Sequence, residues 1–259
     1  MLTIIASMER ELSGLRRQLR SYQHAVPFAP VELQVVGMGG DQAGRIVTYL
    51  LNRHPASGDA LSASQTGIIL LGFAGGVDPT LVPGTLAISP RYHQAAGGNP
   101  QVPNPQMWRQ ALDAATDAGM LFDKSDSLTV ERPVATAADK DRLFRGYQVG
   151  TVNMEDYSVA AAARDAGVPF LAVRAVLDPA GQGLPPYVLA MSGSPVKAIV
   201  GTAVRPWRVA TMLQLGRQMR LAQFALTRFA LAYLHRSLNH ATQQSGAWPA
   251  DASARPAGR

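Results

Sequence analysis

The chain has 259 residues, 47% of them hydrophobic, enough for one large core or two small ones. It has no cysteine, which excludes a disulfide framework, a thiolate nucleophile and a Cys-ligated metal. The net charge of +6 is lopsided: residues 1–178 balance at −2, whereas residues 179–250 hold seven cations and no acid.

The histidines (His24, His54, His93, His235, His240) have no helical zinc spacing, so no metal is expected. The opening MLTIIASMERELSGL lacks the basic start and long apolar middle of a secretory signal. No run of about 18 apolar residues follows, so no bilayer span is expected and the default location is the cytoplasm.

Residues 2–6 read as a buried strand, and Ser7 as the cap of a helix carrying Glu9 and Glu11 in its first turn. Most acids so placed serve the helix dipole alone. These two also follow a first strand, at the edge where open α/β sheets bind ligands. Residues 31–36 predict a second strand. Gly37-Met38-Gly39-Gly40 then turns into a helix over 41–52, a geometry that lets an anion or sugar approach the backbone. It is not G-x-G-x-x-G, and no acid follows at dinucleotide spacing.

Residues 53–66 are loop in composition, and 67–71 a short buried strand. The strand runs into Gly72-Phe73-Ala74-Gly75-Gly76, where the backbone must bend sharply or lie against a ligand. A strand over 85–89, a surface loop over 94–106, a helix over 105–118, a strand over 127–130 and a helix over 137–144 follow.

Residues 150–178 form a strand–helix–strand unit. Residues 151–153 are the first strand and 155–166 an Ala-rich helix that Gly167 and Pro169 end. The apolar run 170–177, broken only by Arg174, has the pattern of a strand buried on both faces. The unit puts Glu155 where a strand becomes a helix and Asp178 where the next strand stops. Two carboxylates at that edge point to acid/base chemistry or recognition of hydroxyls.

Beyond Asp178 the chain is Pro/Gly-rich and basic, and 212–238 predicts a long helix. Leu215, Met219, Ala222, Leu226, Phe229 and Tyr233 share one face, and Arg217, Arg220 and Arg228 fall away from it. Residues 240–259 read as a disordered tail.

Three motifs in this order, MEREL (8–12), GFAGGVDPTLVPGTLAIS (72–89) and VNMEDYSVAAAARDAGVPFLAVRAVLD (152–178), resemble the purine nucleoside phosphorylase and methylthioadenosine/adenosylhomocysteine nucleosidase superfamily. The resemblance implies an α/β three-layer sandwich with a central twisted mixed sheet flanked by helices. It implies one domain over 1–239, whose segment 179–216 resembles the hopanoid-associated phosphorylase branch. That branch is linked to removing adenine from adenosylhopane.

Carried over, Asp178 corresponds to the aspartate beside purine N7 and Glu11 to the glutamate that orients water. Glu155 corresponds to the glutamate on the ribose hydroxyls and Met154 to the methionine beside the sugar. Ala74, Gly75 and Gly76 correspond to a backbone turn lining base and sugar. Phe73 and Leu177 stand where nucleosidases usually carry hydroxyl residues, which suits a greasier substrate. The phosphorylases' arginine before their G-[ST]-x-G turn is missing. Arg45, Arg91 and Arg174 are the candidate substitutes, with Arg174 read instead as the partner of a buried acid, so hydrolysis is favoured.

The expectation is a cofactor-free nucleosidase acting on a lipid-linked purine nucleoside. Peripheral contact with an anionic membrane and a homodimer are expected with it. The alternatives are a soluble methylthioadenosine/adenosylhomocysteine nucleosidase, a phosphate-dependent phosphorylase, and a binding module that has lost catalysis. Nucleic acid is disfavoured, because the basic segment interleaves its cations with aliphatics rather than stacking aromatics.

Overall fold

The computed structural model describes residues 2–22, 31–53, 67–184 and 206–244. Strand β1 (Leu2–Ala6) leads into helix α1 (Glu9–Tyr22), and β2 (Val31–Val35) into α2 (Gly40–Arg53). Then come β3 (Gly67–Gly76), β4 (Leu86–Ala87), β5 (Tyr92–Gln94), α3 (Pro105–Asp117), β6 (Phe122–Asp123) and β7 (Ser127–Thr129). Helix α4 (Ala137–Tyr147), β8 (Thr151–Asn153), α5 (Asp156–Asp165), β9 (Phe170–Asp178) and the long α6 (Pro206–Gln244) complete the order.

The nine strands among the described residues belong to one mixed sheet, ordered β5-β7-β8-β3-β9-β4-β6, with β1 on β3 and β2 on β1. Residues alternate across the sheet plane, so β3 sends Ile69, Leu71 and Phe73 to one face and Ile68 and Leu70 to the other. The first face packs on α1, α3 and α6 through Leu12, Leu15, Ala111, Leu226 and Phe229. The second packs on α2 and α5 through Val47, Val159 and Ala163. Covering both faces is what the continuous apolar runs of β3 and β9 require.

β3 is the axis of the site. β9 runs parallel to it along its whole length, with a register irregularity between Ala74 and Gly75. On its other side β1 pairs as far as Leu71, and β8 pairs antiparallel only from Gly75. Between those points this edge of β3 has no strand against it among the described residues. A gap in a sheet exposes backbone polar groups that something else must satisfy.

Several expectations need correction. Residues 72–76 do not turn: they extend β3 and carry the irregularity, because β9 continues to supply hydrogen bonds on one side. The strand expected over 85–89 is reduced to Leu86–Ala87, and the loop expected over 94–106 begins in strand β5 and is bridged from Gln101 to Tyr92. β6 was not foreseen. Helix α4 runs three residues past Phe144, to Tyr147. Helix α6 starts at Pro206 and ends at Gln244, so residues 240–244 are helical rather than tail. The rest of that tail and most of the insertion, 185–205, lie outside the described residues.

Candidate active site

The gap in the sheet is filled by a side chain. Glu11 is the third residue of α1, where a carboxylate can reach back over the helix start. Its Oε2 accepts from the Met8 backbone N–H at 2.8 Å, and its Oε1 accepts from the Phe73 N–H at 2.8 Å. Glu11 therefore caps its own helix and replaces the missing strand at once. Ser7, expected to be the cap, instead has a buried hydroxyl with no hydrogen-bond partner among the described residues. Glu9 has the surface role alone, pairing with Arg16 at 3.2 Å. Burial pushes the Glu11 carboxyl up to about 7, against the pull of Arg174 and the two backbone donors.

Arg174 lies on β9 with 2% of its surface exposed. Its Nε and Nη2 hold Asp156 Oδ1 at 2.8 and 2.7 Å, and Nη2 also reaches Glu155 Oε2 at 3.0 Å. Burial works against its charge, but Asp156, Glu155 and Glu11 more than offset this and hold it above the ordinary arginine range. The guanidinium lies against β3 because Gly72 has no side chain: a Cβ there would sit 2.1 Å from Arg174 Nη1 and 3.1 Å from Glu11 Oε1.

Glu155 is set by the turn between β8 and α5. Asn153 Oδ1 accepts from the N–H groups of Glu155 and Asp156 at 3.1 and 2.9 Å, fixing the helix start. Glu155 Oε1 then accepts from the Gly39 N–H at 3.1 Å. Gly37 and Gly39 both have positive φ, 84° and 95°, which glycine alone adopts freely. The anion that approaches this Gly-rich turn is thus Glu155 itself. Four lone-pair sites on its carboxylate exceed these two bonds, so acceptor capacity remains for a ligand's hydroxyls.

Asp178 ends β9, four residues beyond Arg174 and about 13 Å along the strand. It is buried, and Gly75 of β3 lies opposite, where a Cβ would be 3.6 Å from Asp178 Oδ2. Oδ2 is held by the ammonium of Lys140 from α4, a lysine with no exposed surface. Among the described residues no other residue donates to Oδ1, and the Asp178 backbone N–H bonds the carboxyl. Burial pushes the carboxyl up, and Lys140 pulls it back down.

Phe73, Ala74, Gly75 and Gly76 run as a track between the two ends. At one end the Phe73 carbonyl accepts from Arg174 Nη1 at 3.4 Å; at the other Gly75 faces Asp178. The Phe73 ring packs into the main core, so its backbone is what serves the gap. Met154 is half-buried between Asn153 and Glu155, with its carbonyl against Gly40.

The structure therefore brings Glu11 and Glu155 together around Arg174, with Asp178 at the far end of the same strand. Sequence reasoning missed Asp156 and Lys140. Asp156 is buried, and burial pushes its carboxyl up despite Arg174 and the Ser127 hydroxyl; Asn153 Nδ2 donates to it at 2.7 Å. Only its place directly after Glu155 hinted at a second acid. Lys140 sits in the charged run ATAADKDRLFRGY, which reads as a solvated face.

Four buried carboxyl groups, of Glu11, Glu155, Asp156 and Asp178, share two buried cations, Arg174 and Lys140. Of the three candidate phosphate ligands, Arg174 is held by acids as expected. Arg91 is half-exposed on Asp126 at 2.9 Å, and Arg45 is exposed. Among the described residues no three His, Asp or Glu converge to hold a metal. Two surface grooves of about 270 and 220 Å³ lie elsewhere, one beside Asn104 and Phe170 and one beside Gly84 and Phe224.

Solved structures of this architecture are similar along nearly their whole length. Helicobacter pylori 5′-methylthioadenosine/S-adenosylhomocysteine nucleosidase aligns over 90% of this chain and 97% of its own, with TM-score 0.64 and 13% identity. The Neisseria meningitidis nucleosidase, solved with methylthio-immucillin-A, aligns over 91% and 98%, with TM-score 0.64 and 17% identity. Futalosine hydrolase of Helicobacter pylori aligns over 88% and 96%, with TM-score 0.61 and 14% identity. At such identities the likeness shows the fold. A search of curated proteins by sequence found no match. The family model described as the phosphorylase superfamily matches residues 4–188, a span that carries most of β1, the gap, the glycine track and every acid named above, and the chain belongs to that superfamily.

Proposed function

We propose that the protein hydrolyses the N-glycosidic bond of a 5′-substituted adenosine and releases adenine. The observation that carries this reading is the sheet gap, with Glu11 and Glu155 at one end and the open Oδ1 of Asp178 at the other. In that reading the ribose lies over Glu155 and the base against Asp178.

In this reading Glu155 accepts the ribose hydroxyls and favours the positive charge that develops on the sugar. Asp178 gives a proton to N7 as the C1′–N9 bond breaks, and the bonding pair leaves with adenine. Glu11 takes a proton from water as the water oxygen bonds to C1′. A carboxyl near 7 suits that task, since it ionises without being a weak base. Acids outnumber cations here, which suits a cationic sugar and a neutral water. The same imbalance opposes phosphate, which needs a cationic cradle.

The finer reading is adenosylhopane as substrate, met by a homodimer at an anionic membrane surface. Its support is the outward face of α6, which carries exposed Leu213, Leu221 and Phe224 interleaved with exposed Arg217, Arg220 and Arg228. The soluble methylthioadenosine/adenosylhomocysteine nucleosidase reading is favoured instead by the named structural neighbours. An adenine-release assay on adenosylhopane, methylthioadenosine and adenosylhomocysteine separates the two. Turnover of the hopane substrate above the others is expected; brisk turnover of methylthioadenosine with none of the hopane would discard the lipid assignment.

A further inference from the structure

Lys140 is a fully buried cation that the mechanism above does not use. Its ammonium faces three oxygens: Asp178 Oδ2, the Asp178 carbonyl at 3.1 Å and the Pro179 carbonyl at 2.9 Å. Carbonyls only accept, and an ammonium has three hydrogens, one for each oxygen. A neutral amine would leave one oxygen facing a lone pair. The geometry is thus that of a charged lysine with all its donors used.

A buried charge is costly, and a well-packed apolar residue serves stability as well or better. Its position has a consequence for Asp178. Lys140 occupies Oδ2, which fixes the carboxyl's rotation and leaves Oδ1 for a ligand. A buried carboxyl beside no cation holds its proton tightly and is a poor donor, whereas a cation in contact makes it a stronger acid.

Resting on the adenine-releasing reading, we propose that Lys140 is the positioning residue of Asp178, turning Oδ1 toward the base and strengthening the acid that protonates it. The proton that reaches N7 leaves Asp178 Oδ1, and Lys140 stays an ammonium throughout, paired with the carboxylate that remains.

The surroundings isolate this pair. From α4 only Lys140 faces the carboxyl; Asp139 and Asp141 pair with Arg142 and Arg145 at 2.9 and 3.1 Å on the surface. β3 offers Gly75 and β8 offers Val152 beside it, neither ionisable. On β9, Arg174 is engaged by Glu155 and Asp156. Burial raises Asp178, Lys140 lowers it and its own backbone N–H adds to the lowering; among the described residues no other side chain enters that balance.

The test is adenine binding to the full chain by titration calorimetry from pH 5 to 9. In the wild type, affinity falls as pH rises through the titration of Asp178, because the carboxylate no longer donates to N7. In Lys140→Met that fall moves up by about one pH unit or more, the size expected for removing a contacting opposite charge. Lys140→Arg keeps it near the wild-type position, and Asp178→Asn abolishes it. If Lys140→Met does not fold, Lys140→Gln, which keeps N–H donors without the charge, makes the same comparison. A fall at the same pH in wild type and in the uncharged variant overturns the role of Lys140. No adenine binding by the wild type at any pH overturns the nucleosidase reading itself.

Discussion

Glu11 shows how the fold can set one carboxyl where the proposed chemistry would use it. Its carboxyl bonds two backbone N–H groups, yet burial raises it from 4.5 to about 7. The folded state thus binds its proton more tightly than the unfolded chain does. Stability from this group is fully present below about 4.5 and is lost as pH rises through about 7. Above that, holding the ionised group buried costs roughly 3 kcal/mol. Glu11→Gln removes that cost but turns an amide nitrogen that cannot accept toward one of the two backbone N–H groups, so urea unfolding should show the variant's stability relative to wild type rising from about pH 4.5 to pH 8. A relative stability that does not change with pH would contradict the burial argument. The same substitution should abolish the rise of kcat/KM through about pH 7.

Gly72 makes the complementary point, since its function is to have no side chain. An added methyl would meet Arg174 Nη1 at 2.1 Å. Gly72→Ala should therefore lower stability by about 1–3 kcal/mol and displace the Arg174–Glu155–Asp156 cluster. An unchanged melting temperature would show that the guanidinium moves aside freely. Arg174→Met is harsher, because it leaves two buried acids unpaired, at about 3–5 kcal/mol.

At the scale of elements, legibility followed burial. β9 and α5 could be placed within a residue or two, because a continuous apolar run and an Ala-rich stretch ended by Gly167 have few other readings. The glycines of β3 misled for a physical reason. Glycine permits a turn but does not require one, and here its missing side chain is used for the close approach of Arg174 and Asp178. β5 and β6, of three and two residues, are too short for any period to show. In the site, Glu11, Glu155 and Asp178 were visible because each follows a strand. Lys140 was not, because whether a charged helix turns its lysine inward depends on a partner 38 residues away.

Helix α6 raises the one question belonging to an element alone. Its buried stripe packs on α1, α3 and β9 as its spacing predicts. Its outward face carries exposed cations and exposed apolar side chains together, and Arg236 is paired with Asp113 and Asp117. If that face meets an anionic bilayer, replacing Arg217, Arg220 and Arg228 with Ser removes about 1 kcal/mol per charge. Flotation with anionic vesicles should then fall roughly a hundredfold in partition, with neutral vesicles unaffected. Unchanged flotation would refute the contact.

For the molecule as a whole, the sheet is what lets distant residues act together. β1 and β8 approach β3 from the same side and stop short of each other, and the acids gather where they part. Glu11, Glu155 and Asp178 arrive from α1, the turn before α5, and β9, over 167 positions of sequence. Under the proposed reading that arrangement suits a developing cation, since acids outnumber cations there among the described residues. The most direct measurement is adenine release from 5′-substituted adenosines by the full chain, in phosphate-free buffer made with ¹⁸O water. The account predicts adenine, one ¹⁸O at C1′ of the sugar, and a loss of about 10²–10⁴-fold in Asp178→Asn. Release that requires phosphate, or no release from any such nucleoside, would contradict it.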